Sequence, residues 1–167
     1  MFKKIAAVTT LILASSAAVA AQPGTVYAGA DVGKTKIDGF NRDTSVGAFV
    51  GYNFHQNFAI EAGYRRLADY EFRMGGSSVD VSADQLALSV IGSMPVGESF
   101  SVYGRLGANR LEAKSRFMGA SIKDSTTKAL YGVGVSYAFT PAVSARLEVQ
   151  KPSSDSTNLS AGVAFQF

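Results

Sequence analysis

Three acids and three bases carry most of the chemistry this chain could do: Asp31, Glu61 and Glu148 with Arg65, Arg105 and Arg146. A carboxylate pair such as Glu61 and Glu148 is the equipment of general acid–base catalysis, one group giving a proton while the other takes one. The same residues among arginines can instead form structural ion pairs. The single histidine, His55, lies in the turn-like stretch His55-Gln56-Asn57. There is no cysteine, which removes thiol chemistry, disulfides and cysteine-bound metals. No run of Lys and Arg interleaved with aromatics suggests a nucleic-acid partner. No catalytic, cofactor-binding or metal-binding residue is assigned.

The elements that must position these residues are strands. In Ala129–Gln150, Ala129, Tyr131, Val133, Val135, Tyr137 and Phe139 share one face, with Gly132, Gly134 and Ser136 opposite. After Thr140-Pro141-Ala142 the alternation resumes, with Val143, Ala145, Leu147 and Val149 against Ser144, Arg146, Glu148 and Gln150. A period of two is the signature of extended chain. The same pattern predicts strands over 25–35, 44–54, 58–66, 83–94 and 100–110, then 129–139, 143–150 and 158–167. Eight such strands with no helical segment between them point to an all-β, eight-stranded antiparallel up-and-down transmembrane barrel, apolar side to lipid and polar side to a lumen. A tilted strand crosses a bilayer in about 9–11 residues, which these runs match.

The chain opens with Lys3 and Lys4, a short apolar run and Ala18-Val19-Ala20, the pattern of a secretory signal peptide. Residues 1–20 are expected to be the signal peptide and 21–167 the barrel domain, so that 147 of the 167 residues remain. The 16 Lys and Arg against 13 Asp and Glu include Lys3 and Lys4, so the barrel itself is nearly balanced in charge. After residue 21 no apolar run is long enough for a spanning helix, and a closed barrel is the other way to cross.

Connections alternate long and short, as expected for extracellular loops and periplasmic turns, and place both termini in the periplasm. The short-turn ends of the outward faces carry Tyr52, Phe54, Phe58, Phe100, Tyr137, Phe139, Phe165 and Phe167, a girdle at the membrane interface. The opposite ends carry outward bases: Lys34, Arg66, Arg110 and Lys151.

GAFVGYNF at 47–54, EAGYRR at 61–66, VYGRLGAN at 102–109, VSYAFTPAVSARLEVQ at 135–150 and LSAGVAFQF at 159–167 resemble the transmembrane barrel of the outer-membrane protein A family. The resemblance implies an eight-stranded barrel in the outer membrane of a Gram-negative cell. It also implies that Phe167, with Phe165 and Val163 on its face, is the signal read by the outer-membrane assembly machinery. The family's separate peptidoglycan-binding domain has no counterpart in these 167 residues. The family's inward Lys on the fourth strand and inward Glu on the sixth correspond to Ile91 and Ser136, so one interior ion pair proposed as a gate is missing.

By parity Asp31, Glu61, Arg65, Arg105, Arg146 and Glu148 all point inward. An eight-stranded interior is just wide enough for side chains to fill. Ions in so dry a lumen need partners, because desolvation costs several kcal/mol each. A packed interior ion network is the expectation, and a narrow porin-like channel for ions or small solutes is the alternative. Catalysis is not expected, because a substrate would have to enter a plugged lumen. Barrel enzymes that modify lipid A are similar in size but use His, Ser and a carboxylate near the outer leaflet, and His55 falls at the other end.

Lys34, Arg66, Arg110 and Lys151 either snorkel to the interface or pair with lipopolysaccharide phosphates. Stretches 67–82 and 111–127 are read as long loops; their clusters Tyr70-Phe72-Arg73-Met74 and Arg116-Phe117-Met118 could contact a host or surface ligand. They could also continue the strands above the membrane, which is the preferred reading. The function expected is non-enzymatic, structural or surface-directed (adhesion or resistance), among outer-membrane lipids.

Overall fold

The computed structural model describes residues 22–37, 43–74, 77–117 and 120–167. The expected signal peptide, residues 1–20, lies outside them. Eight strands follow one another: β1 (Thr25–Ile37), β2 (Asp43–His55), β3 (Phe58–Met74), β4 (Ser77–Pro95), β5 (Phe100–Phe117), β6 (Ala120–Ala138), β7 (Val143–Ser153) and β8 (Ser156–Gln166). Each pairs antiparallel with its neighbours in sequence, and β1 closes on β8, Ala30 facing Val163 and Lys34 facing Leu159. Closure pairs the strands on both sides through the body of the barrel, while the upper parts of β3 above Arg66 and of β6 above Tyr131 pair on one side only.

The alternation in the sequence becomes an inside-out distribution. In β2 the inward Ser45, Phe49 and Asn53 are buried, while the outward Val46, Val50, Tyr52 and Phe54 are exposed. Exposed apolar side chains clothe the outside of all eight strands: Val32, Ile60, Leu88, Leu106, Val133, Leu147 and Val163 among them. The buried residues are mostly polar. Such an arrangement opposes what water would select, and lipid is the solvent that selects it.

The preferred reading of 67–82 and 111–127 as strand extensions agrees with the structure, while their bounds as long loops are corrected. Stretches 67–82 and 111–127 are not loops: β3 runs to Met74 and β4 starts at Ser77, while β5 runs to Phe117 and β6 starts at Ala120. The registers continue upward through Phe72↔Val79 and Asp80↔Arg116. Extending a ladder pairs backbone amides that an open loop would leave to solvent. A bulge between Arg66 and Ala68 marks where β3 leaves its lower register. Likewise 151–157 is a tight hairpin, not a long loop, since β7 reaches Ser153 and Ser153 faces Ser156. Met118 lies outside the described residues.

At the opposite end turns are short. The Thr140 hydroxyl accepts from the amides of Ala142 and Val143 at 3.3 and 3.0 Å and fixes the β6–β7 reversal around Pro141. The girdle aromatics cluster here: Tyr137 meets Phe139 edge-on, Phe165 meets Phe167 likewise, and Phe54 stacks on Phe58.

Candidate functional site: the closed interior

The six inward charges come from four strands, β1, β3, β5 and β7, and meet in mid-barrel. Arg105 on β5 donates through Nη2 to Glu61 Oε1 at 2.7 Å and through Nε to Glu148 Oε1 at 2.7 Å. Arg146 on β7 donates through Nη1 to Glu61 Oε2 at 2.8 Å and stands 3.7 Å from Asp31 Oδ2. Arg65 on β3 donates to the same Asp31 oxygen at 2.8 Å. The bonds form one chain from Arg65 through Asp31, Arg146, Glu61 and Arg105 to Glu148. Three positive charges oppose three negative ones within it. All six are at most about a tenth exposed in their side chains. Alternation of charge along the chain is what lets ionised groups persist out of water.

Glycines make room for this. Gly47 and Gly162 flank Asp31, Gly51 faces Glu61, Gly132 faces Arg105 and Gly134 faces Glu148. A Cβ at Gly47 would stand 2.8 Å from Asp31 Oδ1 and 3.0 Å from Arg65 Nε. The charged side chains therefore lie across the lumen over strands that have none of their own at that level.

Several partners are not evident from charge alone. The phenols of Tyr27 and Tyr103 donate to Glu61 and Glu148 at 2.9 and 2.8 Å. The Phe49 ring lies 3.3 Å from the Arg146 guanidinium carbon, a cation–π contact. Asn158 is a hub: its carbonyl accepts from Arg65, and its amide donates to Ser45 at 2.7 Å and Thr35 at 2.9 Å. The parity of β8 places Asn158 inward, but nothing in the sequence marks it as a hub, because Arg65, Ser45 and Thr35 lie 93 to 123 residues away. Asp31 Oδ1 and Gln85 Nε2 have no protein partner. Both residues line a cavity of about 20 Å³ with Glu61, Arg65, Arg105 and Arg146, a space that suits about one water.

Toward the turn end the character changes. Ala59, Ile91, Tyr103 and Tyr27 pack together in an apolar layer. Ser136 faces Arg146, which turns to Glu61 instead. Beyond lies a cavity of about 120 Å³ lined by Ser93, Ser101, Ser136, Ser144 and Gln166.

The outward bases divide into two groups. Arg66 and Arg110 are exposed but have carboxylates beside them, Arg66 with Asp84 at 3.4 Å and Arg110 with Glu112 at 3.6 Å. Asp84 is buried, although its strand position faces outward, and it also accepts from the Tyr64 phenol at 2.9 Å. Lys34 is exposed on β1 and Lys151 half-buried on β7, on either side of β8. Val163, Phe165 and Phe167 are all exposed on the outer face at the chain's end. His55 is exposed in the β2–β3 turn, its ring bonded to the amide of Asn57 at 3.2 Å.

A closed antiparallel barrel, apolar outside and charged within, defines the class of outer-membrane β-barrel proteins. The chain belongs to the outer membrane protein beta-barrel domain family, whose model matches residues 5–167, and it is an integral protein of the outer membrane. Outer membrane protein A of Salmonella typhi is 30% identical over 99% of this chain and 55% of its own length. The chain thus spans about half the length of the curated relatives it matches. Among solved structures, the barrel domain of Pseudomonas aeruginosa OprF superposes with a TM-score of 0.65 at 17% identity, over 87% of this chain and 98% of that one. Ail, the attachment invasion locus protein of Yersinia pestis, does so with 0.61 at 19% identity, over 87% and 100%. At these identities the two structures speak to fold alone.

Proposed function

We propose that this protein is a non-enzymatic barrel with a charge-plugged lumen, acting as a structural or surface-interaction component of the outer membrane. The observation that carries this reading is the unbroken chain of ion pairs from Arg65 to Glu148 across the lumen. Conduction needs a continuous wet path. Here each guanidinium is held by a carboxylate, and little more than one water's volume remains among them. The two termini face the periplasm in this reading, supported by the aromatic girdle at the short-turn end. The upper ladder of β3 to β6 then stands above the outer leaflet, where a surface ligand could be met. The refolded barrel in a planar bilayer is expected to be electrically silent. Discrete conductance steps from folded wild-type protein would overturn the closed-lumen reading in favour of a narrow channel fed by the serine-lined cavity.

The two groups of outward bases support a finer expectation for lipopolysaccharide. A phosphate must displace the carboxylate beside Arg66 or Arg110, whereas no acid lies beside Lys34 or Lys151 among the contacts described. Lys34→Gln with Lys151→Gln is expected to reduce lipopolysaccharide co-purification more than Arg66→Gln with Arg110→Gln. Equal retention by both double variants, measured per folded barrel, would remove lipopolysaccharide from the role of these lysines.

A further inference from the structure

Nearly every glycine in the described strands faces the lumen, and most have a steric reason. A Cβ would run into the Leu88 carbonyl at Gly107, the Val163 carbonyl at Gly29, and the Tyr103 ring at Gly134. Gly92 and Gly104 are different. They face outward, and they lie directly opposite each other on β4 and β5. A Cβ at Gly104 would meet nothing within 4 Å, and one at Gly92 would only reach the Phe58 ring at ordinary contact distance, 3.4 Å. Neither glycine is forced by its own barrel, and glycine weakens a strand interior. Together they lower the outer surface between Phe58, Met94, Val102 and Val133, where they floor a groove of about 700 Å³. That volume is in the range of small-ligand sites, about 300–1,000 Å³.

We propose that this groove holds one acyl chain of a phospholipid, as a site distinct from the lipid shell that wets the rest of the barrel. The groove is continuous with the membrane-facing surface: Phe58, Met94, Val102, Val133 and Leu147 line it, and all but Val102 are largely exposed. Its lower limit is Asn57, in the β2–β3 turn beside the aromatic girdle. With its headgroup beside Asn57, the occupant comes from the leaflet at the turn end and its chain rises toward Val149 and Leu159. Given the orientation read above, that leaflet is the periplasmic one, made of phospholipid rather than lipopolysaccharide. Apolar side chains and lipid tails are equally apolar, so what distinguishes this place is packing. A chain lying in the depression touches protein on its floor and both flanks, and each close atom pair adds a small dispersion gain. A convex patch elsewhere offers contact on one side only.

The test is retention of phosphatidylethanolamine by barrels refolded in vesicles of that lipid, extracted in mild detergent and weighed intact by native mass spectrometry. Wild-type protein is expected to carry one phospholipid through an extraction that strips the remainder. Gly104→Leu places a side chain into the groove from a position where the Cβ itself meets nothing within 4 Å, so the barrel should fold, and its retention should fall about fivefold. Ala62→Leu, an outward change on β3 away from the groove, should leave retention at the wild-type level. Equal retention by Gly104→Leu and wild type would overturn the proposal, as would a wild-type dimer dissociated by Gly104→Leu, which would make a second copy the occupant. Refolding in lipopolysaccharide-containing vesicles separates the leaflets: preferential retention of lipopolysaccharide would refute the phospholipid assignment and the orientation together. Loss of the site with unchanged orientation would refute the assignment alone.

Discussion

Glu61→Ala is expected to destabilise the barrel by about 3–5 kcal/mol, the cost of breaking a buried ion pair by removing one partner. Glu61 is 2% exposed and holds two guanidiniums at once, Arg105 at 2.7 Å and Arg146 at 2.8 Å, while also accepting from Tyr27. Its removal leaves Arg146 with only the longer 3.7 Å approach to Asp31, and Arg105 with Glu148 alone. Three positive charges would then face two negative ones in a space with room for about one water. Urea-induced unfolding in lipid vesicles, followed by loss of the heat-shifted gel band, measures the change. Removing a second charge tests the origin of the loss. Glu61→Ala with Arg146→Ala restores the balance and should recover part of the stability of the single variant, as coupled neighbours do. A single-variant loss under about 1 kcal/mol would mean that the network is hydrated and its charges individually dispensable.

Gly29→Val is expected to cost more still, above about 4 kcal/mol, and to leave little folded barrel to measure. Gly29 lies between Phe49 on β2 and Ala164 on β8. A Cβ there would overlap both the Phe49 ring and the Val163 carbonyl. The ring could turn aside, but it supports the Arg146 guanidinium at 3.3 Å and would take that contact with it. The carbonyl belongs to the β1–β8 seam and cannot move without opening the closure. Gly63→Ala is the control, also inward, with its nearest atoms at 3.6 Å, and it should fold with nearly wild-type yield. Comparable yields for the two variants would show that the seam yields more readily than its packing suggests.

Parity along strands is enough to divide this protein into a lipid face and a lumen face, because side chains alternate without exception until a bulge intervenes. That is why all six central charges could be placed inward from sequence, and why Val133, Leu147 and Val163 could be placed outward. The length of the upper strands was less legible. Val79 and Val81 alternate with Asp80 and Ser82, yet four polar-interrupted residues near Gly75-Gly76 read equally well as a loop, and pairing with β3 on one side and β5 on the other settled them as strand. The hairpin at 151–157 was hidden by Pro152 and its serines, which signal a turn wherever they fall.

The amino-acid sequence by itself determined the barrel, its strand parity and its charge balance, since each follows from local alternation and from the solvent that alternation selects. Only the tertiary structure decided which base holds which acid, that Asn158 ties Arg65 to Thr35 and Ser45, that Arg66 and Arg110 have carboxylates beside them, and that Gly92 and Gly104 fall side by side. Those facts depend on inter-strand register and on how far each strand is staggered around the closure. A shift of two residues in register preserves every alternation and changes every pair.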